Sequence, residues 1–267
     1  MLKIILALLA RPKIADIIVL LLGLLVPFTF APYQFPYLIF PLLVLFIFLI
    51  LDQSNKRSFW RGWLFGFGQF VIGFNWIYHS VHTYGHAPAA MAIFMIIALA
   101  AYCALFPGLA AYLAQRFFKQ NKTLFILLAL PLMWALSEWL RGYLFTGFPW
   151  LSLGVSQVDT PLAGFATVLG ALGLGAVVIF VAGLLLLIIT ERSNVRFYFA
   201  GLLLVFVSGY LLSVIDWSEK ISSPLRVSLP QLSITQEQKW RAVNKSASLQ
   251  WYRQQHVENA NSNIRIV

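Results

Sequence analysis

Long apolar blocks alternate with short polar loops over the first 215 residues of the chain. The blocks are roughly 17 to 28 residues long, enough to cross a hydrocarbon core about 30 Å thick. Lipid offers the backbone no hydrogen-bond partners, and the blocks lack the strict alternation of a membrane barrel, so the pattern predicts α-helices. We predict seven spans, in chain order Ile14–Phe30, Phe35–Leu51, Gly62–Val81, Pro88–Ala114, Leu124–Leu140, Leu162–Thr190 and Phe197–Ile215.

Composition supports a membrane protein and excludes an ordinary soluble domain. Apolar residues make up 60% of the chain and charged residues only 10%, whereas a soluble domain carries about a quarter charged residues. The net charge of +10 does not indicate nucleic-acid binding, because the cations lie in short loops between apolar blocks and not on one solvated face. We therefore expect no nucleic-acid partner.

The distribution of lysine and arginine predicts how the chain crosses the membrane. One set of alternate segments holds eleven cations, namely Lys3, Arg11, Lys13, Lys56, Arg57, Arg61, Arg116, Lys119, Lys122, Arg192 and Arg196. The other set holds only Arg141. By the positive-inside rule the amino terminus is cytoplasmic, and an odd number of spans places the tail on the outer side.

The tail after residue 215 has the pattern of a water-soluble α/β domain. Arg226–Leu229 is a short β-type run, Thr235–Gln238 fits a capping box, and a polar helix is predicted from about Gln236 to Asn259. Asn263–Val267 is predicted as a second strand. We thus predict a transmembrane helical domain over residues 1–215 and an incomplete strand-helix-strand domain over 216–267, since these elements cannot bury a core of their own.

The segment between the fifth and sixth predicted spans contains the best candidates for a binding site. Glu138 and Arg141 are three residues apart, so they can pair on one helix face. Trp150 follows in a Gly-Phe-Pro-Trp turn. Two interpretations are open: a structural ion pair with an interfacial aromatic belt, or a site for a lipid headgroup or acyl chain.

Two other groups of residues have the chemistry of a site but a weaker pattern. His79, His82 and His86 are spaced for one helix face, yet a helix end is expected before His86 and no carboxylate or thiol lies nearby. We predict interfacial polar residues and no metal. Cys103 lies inside an apolar block, which indicates a packing residue and not a nucleophile.

Four segments together resemble one known family. They are PFTFAPYQFP (Pro27–Pro36), GFGQFVIGFNWIYHSVHTYG (Gly66–Gly85), SEWLRGYLFTGFPWLSLGVSQVDTPLAG (Ser137–Gly164) and VSLPQLSITQEQKW (Val227–Trp240). From about Pro27 to the end, the chain resembles bacterial apolipoprotein N-acyltransferase, an enzyme of the nitrilase superfamily. The third segment is the most specific.

The resemblance implies a fold and an activity. Family members have an inner-membrane bundle that carries an outward-facing nitrilase-like domain. They transfer an acyl chain from a phospholipid to the amino group of a lipoprotein's diacylglyceryl cysteine, through a cysteine thioester. No metal or soluble cofactor is implied. The partners are a phospholipid acyl donor, a diacylglyceryl lipoprotein acceptor and membrane lipid.

The resemblance also assigns residues. The family's catalytic glutamate falls just after the position of Val267, and its lysine and cysteine later, so no catalytic residue is expected in residues 1–267 and this chain alone is expected to be inactive. Residues matching substrate-facing family positions are Trp240, Gln231, Trp150, Arg141 and Glu138. Leu232 and Ser233 replace the Gly-Asn or Gly-Asp that family members usually have after the position of Gln231.

Three non-enzymatic functions stay open at this stage. A transporter tends to show repeated halves and helices broken at the midplane, whereas here no half resembles the other and the ionisable residues lie near span ends. A lipid-binding scaffold or a substrate-binding pseudoenzyme would keep a membrane pocket without chemistry.

Overall fold

The structure is a computed structural model that describes residues 11–219, 223, 227–239, 241–258 and 264–265. Contacts divide the chain into two compact units, Met1–Asp216 and Trp217–Val267. We describe each unit by itself.

The described part of the first unit is built from helices. Its longer helices are α1 (Pro12–Leu25), α2 (Ile39–Ile50), α3 (Asn55–Gly73), α4 (Ala89–Phe118), α5 (Leu130–Arg141), α6 (Ala166–Thr190) and α7 (Val195–Val214). Short 3₁₀ turns at Val26–Thr29, Pro36–Leu38, Leu144–Thr146, Leu153–Gln157, Pro161–Phe165 and Arg192–Asn194 connect them. Two wide π-helical turns, His79–Tyr84 and Phe125–Ala129, follow the helical turns Trp76–Tyr78 and Lys122–Leu124.

Five described segments are long and apolar enough to cross a membrane: Pro12–Thr29, Ala89–Phe118, Lys122–Arg141, Pro161–Thr190 and Arg192–Val214. This finding confirms the helical, multi-pass form of the prediction. Two of the seven predicted spans are not among the five. Pro36–Ile50 is apolar but short, and α3 begins with Lys56, Arg57 and Arg61. The count of seven therefore stays a prediction.

Helices α1, α3 and α4 pack closely through small residues. A Cβ atom at Gly23 of α1 would lie 2.1 Å from the carbonyl oxygen of Phe65 on α3. A Cβ atom at Gly62 of α3 would lie 2.6 Å from the carbonyl oxygen of Pro107 on α4. Such backbone approach is how membrane helices gain packing energy without a hydrophobic driving force between them.

An ion-pair network joins α1 to α3. Asp16 accepts hydrogen bonds from Arg57 at 2.9 Å and from Arg61 at 3.0 Å. Arg61 is buried and also donates to the carbonyl oxygen of Leu49. Two of the eleven cations that predict orientation are therefore paired with one carboxylate of α1.

The described residues of the second unit form short strands and two helices. Strand β1 (Val227–Ser228) pairs in parallel with β2 (Ile264–Arg265), with Val227 opposite Ile264. Between them lie α8 (Gln236–Lys239) and α9 (Ala242–Glu258). The single helix predicted from Gln236 is thus wrong, because Arg241 lies outside both helices. The nitrilase-like identity of this unit stays a prediction.

Candidate functional site

The segment between α5 and α6 (residues 142–165), which we call the returning segment, folds back over the end of α5. Its turn depends on Gly147, whose φ is +80°, and a Cβ atom there would lie 2.0 Å from the carbonyl oxygen of Gly142. Phe145 and Thr146 also have positive φ angles, of 52° and 71°. Only glycine fits the Gly147 position, which explains the Gly-Phe-Pro-Trp sequence.

Arg141 holds this returning segment from inside. The side chain is only 1% exposed, and its Nη1 atom donates to the carbonyl oxygens of Phe148 and Trp150, the latter at 2.7 Å. Its Nη2 atom donates to Ser152 Oγ at 3.2 Å. The planar guanidinium presents several donors in fixed directions, so one arginine can bind consecutive parts of a loop. It also lies 5.1 Å from the centre of the Phe70 ring, a cation–π distance.

Glu138 balances the charge of Arg141. Its Oε1 atom lies 3.9 Å from Arg141 Nη2 and accepts hydrogen bonds from Trp134 Nε1 at 3.2 Å and the Leu153 backbone at 3.0 Å. The predicted i, i+3 pair is therefore formed. The side chain is buried, and Oε2 has no hydrogen-bond partner within the described residues. The Glu138 carboxylate thus connects α5 to Leu153, the first residue of the 3₁₀ turn Leu153–Gln157.

Trp150 lies beside this pair but faces outward. Its indole is 51% exposed, stacks on Phe148 with ring centres 4.7 Å apart, and lies 6.3 Å from Trp76. The ring forms part of the wall of an open cavity of about 790 Å³. That size falls in the range of small-molecule sites.

The cavity wall combines apolar and polar groups. Phe30, Trp150 and Val155 contribute apolar surface, whereas Gln34 and Asp159 contribute polar surface. Such a wall suits an amphiphile with an apolar chain and a polar head. Neither Glu138 nor Arg141 lines this cavity, since both are buried behind the backbone of residues 148–153.

The two remaining predicted site residues belong to the tail. Gln231 is exposed in the segment after β1, and Trp240 lies outside the described residues. In the second unit, Trp251 packs edge-to-face on Tyr252 and lines a separate hollow with Leu232, Gln238 and Arg241.

The histidine and cysteine candidates have ordinary surroundings. His82 Nδ1 lies 2.8 Å from the carbonyl oxygen of Ala87, and His86 has a φ of 53° outside the π-helical turn. Within the described residues, no cluster of three or more His, Cys, Asp or Glu side chains could hold a metal ion. Cys103 is buried on α4 against Phe70 and Ala100.

Sequence reasoning missed three polar residues that shape the site. Gln69 Nε2 donates to the carbonyl oxygen of Leu151 at 2.9 Å, and Gln157 Nε2 donates to that of Pro36 at 3.0 Å. Ser152 Oγ donates to the carbonyl oxygen of Pro149. Both glutamines are buried. A signal existed for Gln69, since a lone amide in an apolar block needs a partner.

The chain matches the family described as "Apolipoprotein N-acyltransferase N-terminal domain" over residues 22–184. The matched stretch includes Glu138, Arg141, Trp150 and the whole cavity wall. The chain belongs to this family. This match ends inside α6, so it lies within the first unit.

Curated relatives agree with the family assignment. The chain is 38% identical over 232 residues to the apolipoprotein N-acyltransferase of Methylococcus capsulatus, covering 86% of this chain and 46% of the relative. It is 33% identical over 247 residues to that of Coxiella burnetii, covering 91% of this chain and 51% of the relative. It is 38% identical over 226 residues to the apolipoprotein N-acyltransferase of Nitrosomonas europaea, covering 84% of this chain and 45% of the relative. The chain therefore spans about half the length of these relatives.

Proposed function

We propose that this chain supplies the membrane part of an apolipoprotein N-acyltransferase, and that the cavity beside Trp150 binds the lipid portion of a substrate. The observation that carries the proposal is the half-exposed indole over an amphiphilic cavity, inside the stretch that matches the family. A flat aromatic ring offers a large apolar surface and loses little rotamer entropy when it packs against an acyl chain.

The proposed reaction transfers an acyl group from a phospholipid to the amino group of a diacylglyceryl lipoprotein. A cysteine thiolate, which the resemblance places after residue 267, attacks the phospholipid ester, so that a thioester forms, the ester bond breaks and lysophospholipid leaves with the proton that the thiol gave up. The amine then attacks the thioester, so that an amide forms, the thiolate is released and the amine proton passes to a base. The part assigned to residues 1–215 is to bind and orient lipid.

The site residues divide into two proposed roles. Trp150 contacts the lipid, whereas Glu138 and Arg141 act as positioning residues because their buried side chains hold the segment that carries Trp150. Gln231 and Trp240 are proposed as substrate contacts of a nitrilase-like second unit, which would begin at about residue 216. Only their match to the family pattern supports these two assignments.

The proposed location is the bacterial inner membrane, with seven spans, a cytoplasmic amino terminus and the second unit outside. The eleven-to-one distribution of lysine and arginine supports this orientation. Membership of the family does not favour the alternative of a transporter or scaffold.

The protein as its gene encodes it, including whatever follows residue 267, tests the proposal, because residues 1–267 alone are expected to be inactive. It is supplied with a phospholipid labelled in one acyl chain and a peptide with an amino-terminal diacylglyceryl cysteine. Mass spectrometry should find the labelled acyl chain as an amide on the peptide. If the protein retains bound phospholipid but never forms the amide, the scaffold alternative replaces the enzyme.

A further inference from the structure

A buried glutamine of α3 contacts the residue that follows Trp150. Gln69 is 1% exposed, and its Nε2 atom donates to the carbonyl oxygen of Leu151 at 2.9 Å. Four residues later on the same helix face, Gly73 leaves room for the Leu151 side chain, because a Cβ atom at Gly73 would lie 2.1 Å from Leu151 Cδ1. Helix α3 therefore receives both the backbone and the side chain of Leu151.

Leu151 needs this support because of its backbone conformation. Its φ is 59°, a left-handed angle that is unfavourable for a residue with a Cβ atom. Such a conformation persists only where the surrounding contacts determine it. The Gln69 hydrogen bond and the packing of the Leu151 side chain against Gly73 are contacts of that kind.

The backbone of Trp150 is bound by a second helix. Arg141 of α5 binds its carbonyl oxygen at 2.7 Å, so two successive carbonyl groups are bound by two different helices. The indole is half exposed, and burial alone does not fix its direction. The backbone of residues 150 and 151, together with stacking on Phe148, thus sets how the ring projects.

We propose that Gln69 and Gly73 are positioning residues that set the orientation of Trp150, and through it the recognition of the lipid substrate. This inference rests on the proposed function, in which Trp150 contacts the lipid. It adds a specific claim: Gln69 affects substrate use only while the indole is present. A glutamine that merely stabilised the bundle would act whether or not Trp150 was there.

A double-mutant cycle tests this claim. The protein expressed from its native gene is compared with Gln69→Met, Trp150→Ala and the double variant, in the amide-forming assay described above. Methionine keeps the approximate length of glutamine and removes its donor. We expect Gln69→Met to lower kcat/KM for the phospholipid by about tenfold, and to have little further effect when Trp150 is already alanine.

Gln115 provides a matched control. It is also a 1% exposed glutamine, and its Nε2 atom donates to the carbonyl oxygen of Gln53 at 2.7 Å. In both glutamines Oε1 lacks a hydrogen-bond partner in the described part of the chain. Gln115→Met therefore removes a comparable hydrogen bond away from the cavity, and it should leave kcat/KM per folded molecule unchanged.

The outcomes separate the inference from the proposed function. Equal factors of loss in both backgrounds, no loss, or a loss that follows the folded fraction would overturn the inference while the proposed function stands. If unmodified protein forms no amide, the proposed function fails and the inference with it. If Gln69→Met does not fold, Gly73→Ala replaces it in the same cycle, because the added methyl group displaces Leu151.

Discussion

Arg141 donates a hydrogen bond to the carbonyl oxygen of Trp150 at 2.7 Å, although the two side chains have opposite environments. The guanidinium is 1% exposed, whereas the indole is 51% exposed and faces the cavity. A buried residue thus fixes the backbone of an exposed one. Loss of Arg141 should mainly affect stability, and loss of Trp150 should mainly affect binding.

Replacing Arg141 by methionine should destabilise the first unit strongly. The change leaves the carbonyl oxygens of Phe148 and Trp150 without this donor and the buried Glu138 carboxylate without its partner. Breaking a buried pair in this way costs about 3–5 kcal/mol. Thermal unfolding of the detergent-solubilised protein, followed by circular dichroism, measures the loss.

Arg57 supplies the control for that substitution. It also pairs with a carboxylate, Asp16, but its side chain is 35% exposed. Arg57→Met should therefore cost no more than about 1 kcal/mol. The double variant Arg141→Met, Glu138→Met should lose less than the sum of its single variants, because it removes both charges. Equal losses for Arg141→Met and Arg57→Met would contradict the structural role of the buried pair.

Gly154 marks the closest contact between the returning segment and α6. A Cβ atom there would lie 2.1 Å from the carbonyl oxygen of Ala171, and backbone atoms cannot move aside as a flexible side chain can. Gly154→Ala should lower the free energy of unfolding by about 1–3 kcal/mol. Urea or thermal unfolding of purified protein tests this.

Gly201 of α7 provides the control for the Gly154→Ala substitution. The nearest atom to its added Cβ would be Leu184 Cδ2 at 3.6 Å, an ordinary contact distance. Gly201→Ala should be neutral or slightly stabilising, since alanine favours a helix over glycine by about 1 kcal/mol. A loss equal to that of Gly154→Ala would show that the segment does not pack on α6 as described.

Reporter fusions distinguish the seven-span prediction from a bundle with only the five identified spans. Both arrangements put a fusion after Asn121 in the cytoplasm and one after Ser223 outside, given a cytoplasmic amino terminus. They differ after Gln53, which is cytoplasmic only if Phe35–Leu51 spans the membrane. We expect an enzyme that is active only outside the cytoplasm to be silent after Gln53. Activity there would reject seven spans.

The sequence predicted the apolar helices well and the site only in part. Helices α4, α6 and α7 begin and end within a few residues of their predicted spans because hydropathy is a local property. The predicted span Gly62–Val81 failed to show that α3 begins at Asn55 and ends at Gly73. Arg57 and Arg61 at its start pair with Asp16, more than 40 residues away in the chain, which no local pattern reveals.

Within the site, local spacing predicted the Glu138–Arg141 pair but not its burial. The hydrogen bond from Gln69 to Leu151 joins residues 82 positions apart, so it depends on how α3 packs against the returning segment. The left-handed conformation of Leu151 likewise had no signal, since leucine rarely adopts it. The sequence pattern singled out Glu138, Arg141 and Trp150, whereas packing decides that only Trp150 of these three lines the cavity.

The kinetic effect of Trp150→Ala tests the central claim most directly. Trp139→Ala is the control, because Trp139 is also 46% exposed but contacts Tyr143, away from the cavity wall. In the amide-forming assay, Trp150→Ala should lower kcat/KM for the phospholipid by about tenfold, roughly 1.4 kcal/mol of transition-state binding, with little change in melting temperature. Trp139→Ala should leave kcat/KM unchanged. Equal activity for the two variants, or a Trp150→Ala loss that follows the folded fraction, would contradict the claim that this cavity binds the lipid.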